Sequence, residues 1–475
     1  MPNPIVLPLL LVAALAAPES PSPEPLPKGE VVPKIVCASD PEETYAAYLP
    51  PGYEAGKPAP ILYLLDARRQ GVLALERFRE ASEKYGWILA SSNNSESDGP
   101  FTPNIRAMRA MWDDTHTRFS IDPRRVYATG FSGCARVVCV LAQSAAKAQI
   151  TGVIGVGAGF SEKVPPYKDL PFVYFGTVGT TDFNYREMRQ LDKTLASLGD
   201  PHRLAVFDGS HSWPPPVVCT RAVEWMELAG MRSGARPRDE GLVAEWLPRA
   251  SQEAAALESA GRKGEALARY REIGEDFGGL ADVSAVRAAL DRLENDPEAR
   301  RQIERQEHLE KEEDAELAEA RQKLASDMRA DEPLPAQRIA QDLRIAALRR
   351  RAESAGSEAE RQSARRILNA LFVQNSFYLP REYLEHHDSR RAGLSAAFAA
   401  EVYPDRAGAV WYNFACLQAG SGDKKGALAT LRRAVEKGFR DAERMEKDPD
   451  LESLRSEDEY RHIVEGLKKA GSPSS

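Results

Sequence analysis

The residues that could do chemistry gather around one serine. Val126-Tyr-Ala-Thr-Gly130-Phe-Ser132-Gly-Cys134-Ala-Arg136 reads as a short apolar strand, a sharp turn and a helix. The turn holds Gly130-x-Ser132-x-Cys134, one residue away from the Gly-x-Ser-x-Gly nucleophile elbow. A serine at such a turn sits at the tip of a strained strand-to-helix connection, its hydroxyl exposed and backbone N–H groups beside it. Small residues two before and two after let strand and helix approach that closely. The following helix also points its N-terminus at the serine, which favours negative charge there. Cys134 stands where the pattern has its last glycine; it is still small but bulkier.

Two partners follow downstream. Pro171-Phe-Val-Tyr-Phe-Gly176 is an apolar run that suits a buried strand. It leads into a Gly/Thr loop ending in Asp182. Arg203-Leu-Ala-Val-Phe207 is a further strand, followed by Asp208-Gly-Ser-His211-Ser-Trp213-Pro214. Ser132, Asp182 and His211 thus each fall just past the C-terminal end of an expected strand, where open α/β sheets place their sites. Such a set performs acyl transfer: serine attacks, histidine moves the proton, and the carboxylate orients the imidazole. Asp208 reads as a turn residue, and His202, at the start of a strand, is poorly placed for a base. His386 and His387 lie in a helical region, where adjacent side chains point apart, so a shared metal is not expected.

The Ser…Asp…His order is typical of α/β-hydrolases. Residues 40–230 resemble the esterase branch of that fold, which includes enterobactin-esterase-like and feruloyl-esterase-like enzymes. The opening Tyr48-Leu-Pro-Pro-Gly-Tyr53, followed by Pro60-Ile-Leu-Tyr-Leu-Leu-Asp66, is similar to that branch's first strands. The ending His211-x-Trp213-Pro214 resembles secreted polyester depolymerases. The resemblance implies a serine hydrolase of carboxylic esters that uses no metal and no organic cofactor. It places half of the oxyanion hole on the N–H of Gly133 and half on Ala67 or Arg68, after the third strand. Ala67 replaces the family's glycine there. Arg68 and Trp213 are the expected substrate contacts. Two readings of Arg68 and Arg69 stand side by side: selection of anionic substrates, or solvated loop charges.

These residues need a scaffold, and the chain is long enough to supply one. Its 475 residues exceed one ordinary domain, and the 43% apolar content suffices for real cores. A net charge of −8 gives no general attraction to nucleic acid, and no basic stripe with interleaved aromatics occurs. Ile5 to Ala17 is an apolar run ending in small residues, too short to span a bilayer, and residues 1–17 read as a signal peptide. A secreted or periplasmic location follows, without stable membrane insertion after cleavage. Residues 18–34 are rich in Pro, Glu and Ser and read as a linker. The five cysteines, at 37, 134, 139, 219 and 416, show no metal spacing and read as small buried hydrophobes, with one pair permitted by export.

Strands alternate with helices across 35–232, which argues an α/β hydrolase domain: a mostly parallel sheet with helices on both faces. Its expected elements include a turn at Asp40-Pro41, a loop at 91–103, and a helix at 105–119 with apolar positions at Ile105, Met108, Met111 and Trp112. Beyond 232 the chain reads as all-α. Residues 240–295 form a repeat-like helical segment, 296–333 a charged helix, and 334–475 a helical domain. Two stretches look like tetratricopeptide repeats: Gly261 to Ile273 after Ala254, and Gly422 to Ala434 after Trp411 and Phe414. They lie 161 residues apart, which supports no regular tandem array. Leu451, Leu454, Tyr460 and Ile463 fit a capping helix. The charged helix reads as a solvated connector, because its apolar stripe holds no sustained heptads. Helical repeats usually bind protein, so a protein partner is possible alongside the ester substrate. The different-class alternative is an inactive hydrolase-fold scaffold whose helices make it an interaction module.

Overall fold

The computed structural model describes residues 25–144, 150–330 and 332–471. The expected signal peptide and the first part of the linker lie outside them. One eight-stranded sheet organises the first half. Its strands are β1 (Val31–Cys37), β2 (Asp40–Tyr48), β3 (Ala59–Leu65), β4 (Ile88–Ser92), β5 (Ile121–Phe131), β6 (Gly152–Val156), β7 (Val173–Gly179) and β8 (His202–Phe207). They lie in the order β1-β2-β4-β3-β5-β6-β7-β8. β2 runs antiparallel to β1 and β4, and every other pairing is parallel. This is the mostly parallel sheet that the strand–helix alternation implies.

The sequence of β3 shows why the sheet is covered twice. Ile61, Tyr63 and Leu65 face one core and Leu62 and Leu64 the other, a strand apolar on both sides. The helices are α1 (Gly71–Tyr85), α2 (Phe101–Arg118), α3 (Gly133–Ser144), α4 (Tyr185–Leu198) and α5 (Pro216–Ser233). α2, α3 and α4 supply Met108, Val138 and Met188 to the first core. α1 and α5 supply Phe78 and Met226 to the second. Three local expectations shift. The first turn falls at 38–39, and β2 already starts at Asp40. Ile105 is 39% exposed, so it does not belong to the buried face of α2. β1 begins inside the stretch read as linker; Pro33 is tolerated because β1 is an edge strand.

The second half is helical throughout the described residues. It comprises α6 (Glu240–Ser259), α7 (Lys263–Phe277), α8 (Ser284–Glu294), α9 (Pro297–Arg329), α10 (Ala336–Asp342), α11 (Ile345–Ser354) and α12 (Glu358–Val373). A π-turn over Gln374–Tyr378 joins α12 to α13 (Leu379–Glu385). Then come α14 (Ser389–Val402), α15 (Ala407–Gly420), α16 (Lys424–Glu436), α17 (Ala442–Lys447) and α18 (Asp458–Gly471). α6 packs on α7, and α15 on α16. The turns contain Gly261 and Gly422, both at positive φ. Ala254, Ala266, Ala415, Ala427 and Ala434 are fully buried where these helices meet. Leu451, Leu454 and Tyr460 join the same core as α15 and α16.

α9 corrects the sequence reading. It is not a merely solvated connector. Its Glu310 and Glu313 are each only 2% exposed. Glu310 meets Arg186, Arg189 and Lys193 of α4 at 2.7, 3.2 and 3.1 Å. Glu313 is bound by Arg366 of α12. Buried acids need paired bases, and here those bases lie on other helices. All five cysteines are buried and unpaired. No described helix is long and apolar enough to cross a membrane.

Candidate active site

β5 ends at Phe131 and α3 begins at Gly133, so the serine takes the whole turn. Ser132 has φ +58°, a left-handed conformation that side-chain-bearing residues rarely adopt. Its N–H donates to the Val156 carbonyl of β6 at 2.8 Å. Gly130 is required: a Cβ there would lie 2.4 Å from the Cys134 carbonyl carbon and oxygen. Cys134 itself is fully buried, its Sγ 3.5 Å from the Asp66 carbonyl oxygen, so the larger residue is accommodated under the β3 loop. Burial pushes its thiol up to about 12, which keeps it neutral.

The other two residues meet this serine. His211 Nε2 lies 2.9 Å from Ser132 Oγ. Its Nδ1 lies 2.9 Å from both oxygens of Asp182. Asp182 is 1% exposed, and the Asn184 N–H donates to its Oδ1 at 2.8 Å. The imidazole lies against the rings of Phe131 and Phe183, with centroids 4.8 and 4.3 Å away. Gly157 closes in behind it at φ +65°. A Cβ at Gly157 would lie 2.9 Å from His211 Cε1 and 3.2 Å from Asp182 Oδ2. Asn184 Nδ2 donates to the Gly157 carbonyl at 2.8 Å, which ties that turn to the acid loop. Asp208 only accepts from Thr180 Oγ1, at 3.3 Å. His202 Nδ1 donates to the Asp200 carbonyl at 2.8 Å and its Nε2 lies 3.4 Å from Asp192, away from this group. Among the described residues no potential metal-ligand cluster forms around His386 and His387.

The loop after β3 is arranged differently from expectation. Asp66 is 2% exposed and organises it. Its Oδ1 accepts from the N–H groups of Arg68 and Gln70 at 2.7 and 2.9 Å. Its Oδ2 accepts from Trp213 Nε1 at 2.7 Å. The Arg68 N–H is therefore committed to Asp66 and is not available to an oxyanion. The Arg68 side chain is exposed, and Arg69 pairs with Glu96 at 2.5 Å on the surface. Trp213 is not a wall of the cleft either. It is 7% exposed, and a buried indole N–H needs a partner, which Asp66 provides.

A cavity of about 510 Å³ opens on the serine. Ser132, Gly133 and Phe183 line it from the sheet side. Arg321 of α9, Gln374 and Tyr378 of the π-turn, and Glu382 of α13 line it from the helical half. π-turns within helices are rare and recur at functional sites. Burial, then the nearby Asp98 carboxylate, push the Tyr378 phenol up to about 12. A separate cavity of about 580 Å³ lies at the start of α1, lined by Gln70, Leu73 and Arg77, and does not include Ser132.

Comparison with known proteins places this geometry in context. The family described as A/B hydrolase-like, N-terminal domain matches residues 394–471, within the helical half and after the sheet. No curated protein matches the chain. Among solved structures, S-formylglutathione hydrolase from Staphylococcus aureus is 12% identical, with a TM-score of 0.34 over 43% of this chain and 99% of its own. A ferulic acid esterase is 15% identical, with a TM-score of 0.35 over 42% of this chain and 96% of its own. A thermophilic esterase from the planctomycete Thermogutta terrifontis is 12% identical, with a TM-score of 0.31 over 42% and 91%. Likeness at this level carries no argument about activity.

Proposed function

We propose that this chain is a serine hydrolase of carboxylic esters. The observation that supports the reading is Ser132 itself. A non-glycine residue held at φ +58°, with its hydroxyl 2.9 Å from an imidazole nitrogen, is strain kept for a purpose. In the proposed cycle Ser132 Oγ attacks the ester carbonyl carbon while His211 Nε2 takes the hydroxyl proton. Asp182 accepts from the Nδ1–H and stabilises the positive imidazolium. The N–H groups of Gly133 and Ala67 receive the oxyanion; Gly133 is the first residue of α3, whose leading N–H groups have no partner within the helix. The carbon–oxygen bond to the alcohol breaks, and His211 returns the proton to the leaving oxygen. Water then repeats the sequence on the acyl enzyme and releases the acid. No step draws on a metal or an organic cofactor.

The cavity bounds the substrate. At about 510 Å³ and walled by two halves of the chain, it suits a compact ester. The same reading takes the protein as exported, on the strength of residues 1–17. It takes α6–α7 and α15–α16 as repeat-like pairs, supported by buried alanines at their crossings and glycine turns between them. The test is labelling of the full chain by a fluorophosphonate, wild type beside Ser132→Ala. Labelling lost in the variant supports the reading. A folded wild type that does not label overturns it and makes the helical half the function to pursue.

A further inference from the structure

The loop that carries Asp182 is held from outside its own domain. Thr180 and Thr181 immediately precede the acid. Arg366 Nη1 donates to the Thr180 carbonyl at 2.8 Å, and Asn369 Nδ2 donates to the Thr181 carbonyl at 2.7 Å. The two donors lie three residues apart on α12 and so share one face of that helix.

Each donor is itself fixed. Arg366 Nε and Nη2 bind Glu313 of α9 at 2.8 and 2.5 Å. Its guanidinium carbon also lies 4.2 Å from the Tyr185 ring centroid, just past the acid loop. The pair is almost dry, with side chains 8% and 2% exposed. Asn369 Oδ1 accepts from the Tyr403 hydroxyl at 2.7 Å, which turns the NH₂ group toward the loop. The helical half grips the other rim of the cavity as well. Arg381 Nη1 donates to the Asp98 carbonyl at 2.8 Å, at a residue with φ +67°.

We propose that the helical half is a working part of the active site, with Arg366 and Asn369 as positioning residues that set Asp182, and through it His211, against Ser132. The inference rests on the ester-hydrolase reading. Thr180 and Thr181 are two and one residues from the carboxylate that must meet His211 Nδ1. A displacement of about 1 Å at such a group costs on the order of 100-fold in rate. Sheet-domain contacts hold the other side of the loop, as in the Thr181 N–H bond to Gly209 O at 2.9 Å. The two carbonyls facing α12 depend on Arg366 and Asn369.

The test uses the full-length chain and short-chain p-nitrophenyl esters. Asn369→Ala is expected to lower kcat by about 10- to 100-fold with little change in KM. The downfield proton resonance of His211 Nδ1–H is expected to move in the same variant. Arg365→Ala, on the same helix but paired at 3.6 Å with surface Glu358, is expected to change neither. Arg366→Met alone strands the buried Glu313 charge and endangers folding. It is therefore made together with Glu313→Gln, and the double variant is expected to repeat the kcat loss. If wild type labels at Ser132 while Asn369→Ala and the double variant keep both kcat and the resonance, the inference falls and the hydrolase reading stands. A kcat loss that Arg365→Ala shares, in step with lost melting temperature, also overturns it. A wild type that does not label, but whose resonance still moves in Asn369→Ala, supports the clamp and sinks the ester-hydrolase reading.

Discussion

Gly157→Ala measures how tightly the histidine is held. Gly157 lies at φ +65°, and an added Cβ would meet His211 Cε1 at 2.9 Å, His211 Nδ1 at 3.0 Å and Asp182 Oδ2 at 3.2 Å. Carbon contacts are comfortable from about 3.5 Å, so the imidazole must retreat by roughly 0.5 Å. Phe131 and Phe183 already pack against the ring, so the shift disturbs those contacts too. Retreat lengthens the 2.9 Å contact between Nε2 and Ser132 Oγ. Since about 1 Å of misplacement costs on the order of 100-fold, half of that predicts about a 10-fold loss of kcat. The alanine also bears a left-handed backbone, at a cost of about 1–2 kcal/mol. Gly199 separates the two effects: it has φ +78° and nothing within 4 Å of its would-be Cβ. Gly199→Ala therefore carries the backbone cost alone. Turnover of a p-nitrophenyl ester is measured for both variants beside their melting temperatures. Both are expected to melt lower by a few degrees, at about 2–4 °C per kcal/mol for a domain of this size. Only Gly157→Ala is expected to lose kcat. Equal kcat in the two variants would refute the steric argument, and with it the claim that the imidazole position limits the rate.

Other outcomes follow from the same contacts. Asp182→Asn keeps the shape but presents an NH₂ where the imidazole Nδ1–H needs an acceptor, so kcat should drop by about 10³- to 10⁴-fold with the fold intact by circular dichroism. Trp213→Phe removes the N–H that Asp66 Oδ2 accepts at 2.7 Å. Denaturant unfolding should show a loss of about 1.5–3 kcal/mol, and kcat should fall through the disturbed Ala67 loop. Glu310 gives a pH signature. Burial raises its carboxyl, but Arg189 and Arg186 overrule that and bring it down from 4.5 to about 2. A depressed acid stabilises the fold above its unfolded value and loses that contribution as pH falls toward its folded value. Wild type should thus lose stability between about pH 4.5 and 2, and Glu310→Gln should show a shallower decline there in thermal melts.

The elements around the serine were legible because each rests on local rules. β3 is apolar on both faces, and β5 leads into Gly130-x-Ser132. Ser132, Asp182 and His211 could be proposed from strand ends alone, since sheets present their C-terminal edges together. Asp66 was hidden for the opposite reason. Its three donors are the amides of Arg68 and Gln70 and a tryptophan 147 residues away, and no spacing encodes that meeting. The helical half was hidden more deeply. A glutamate-rich helix looks solvated in sequence, because charge says nothing of whether a partner waits on another element. Glu310 and Glu313 are indistinguishable from their neighbours until α4 and α12 bring Arg186, Arg189 and Arg366 to them. Once docked, those two acids determine where α9 and α12 lie, and α12 in turn delivers Arg366 and Asn369 to the carbonyls before Asp182. Charges that read as solubility in sequence thus become the link between the two halves of the cavity.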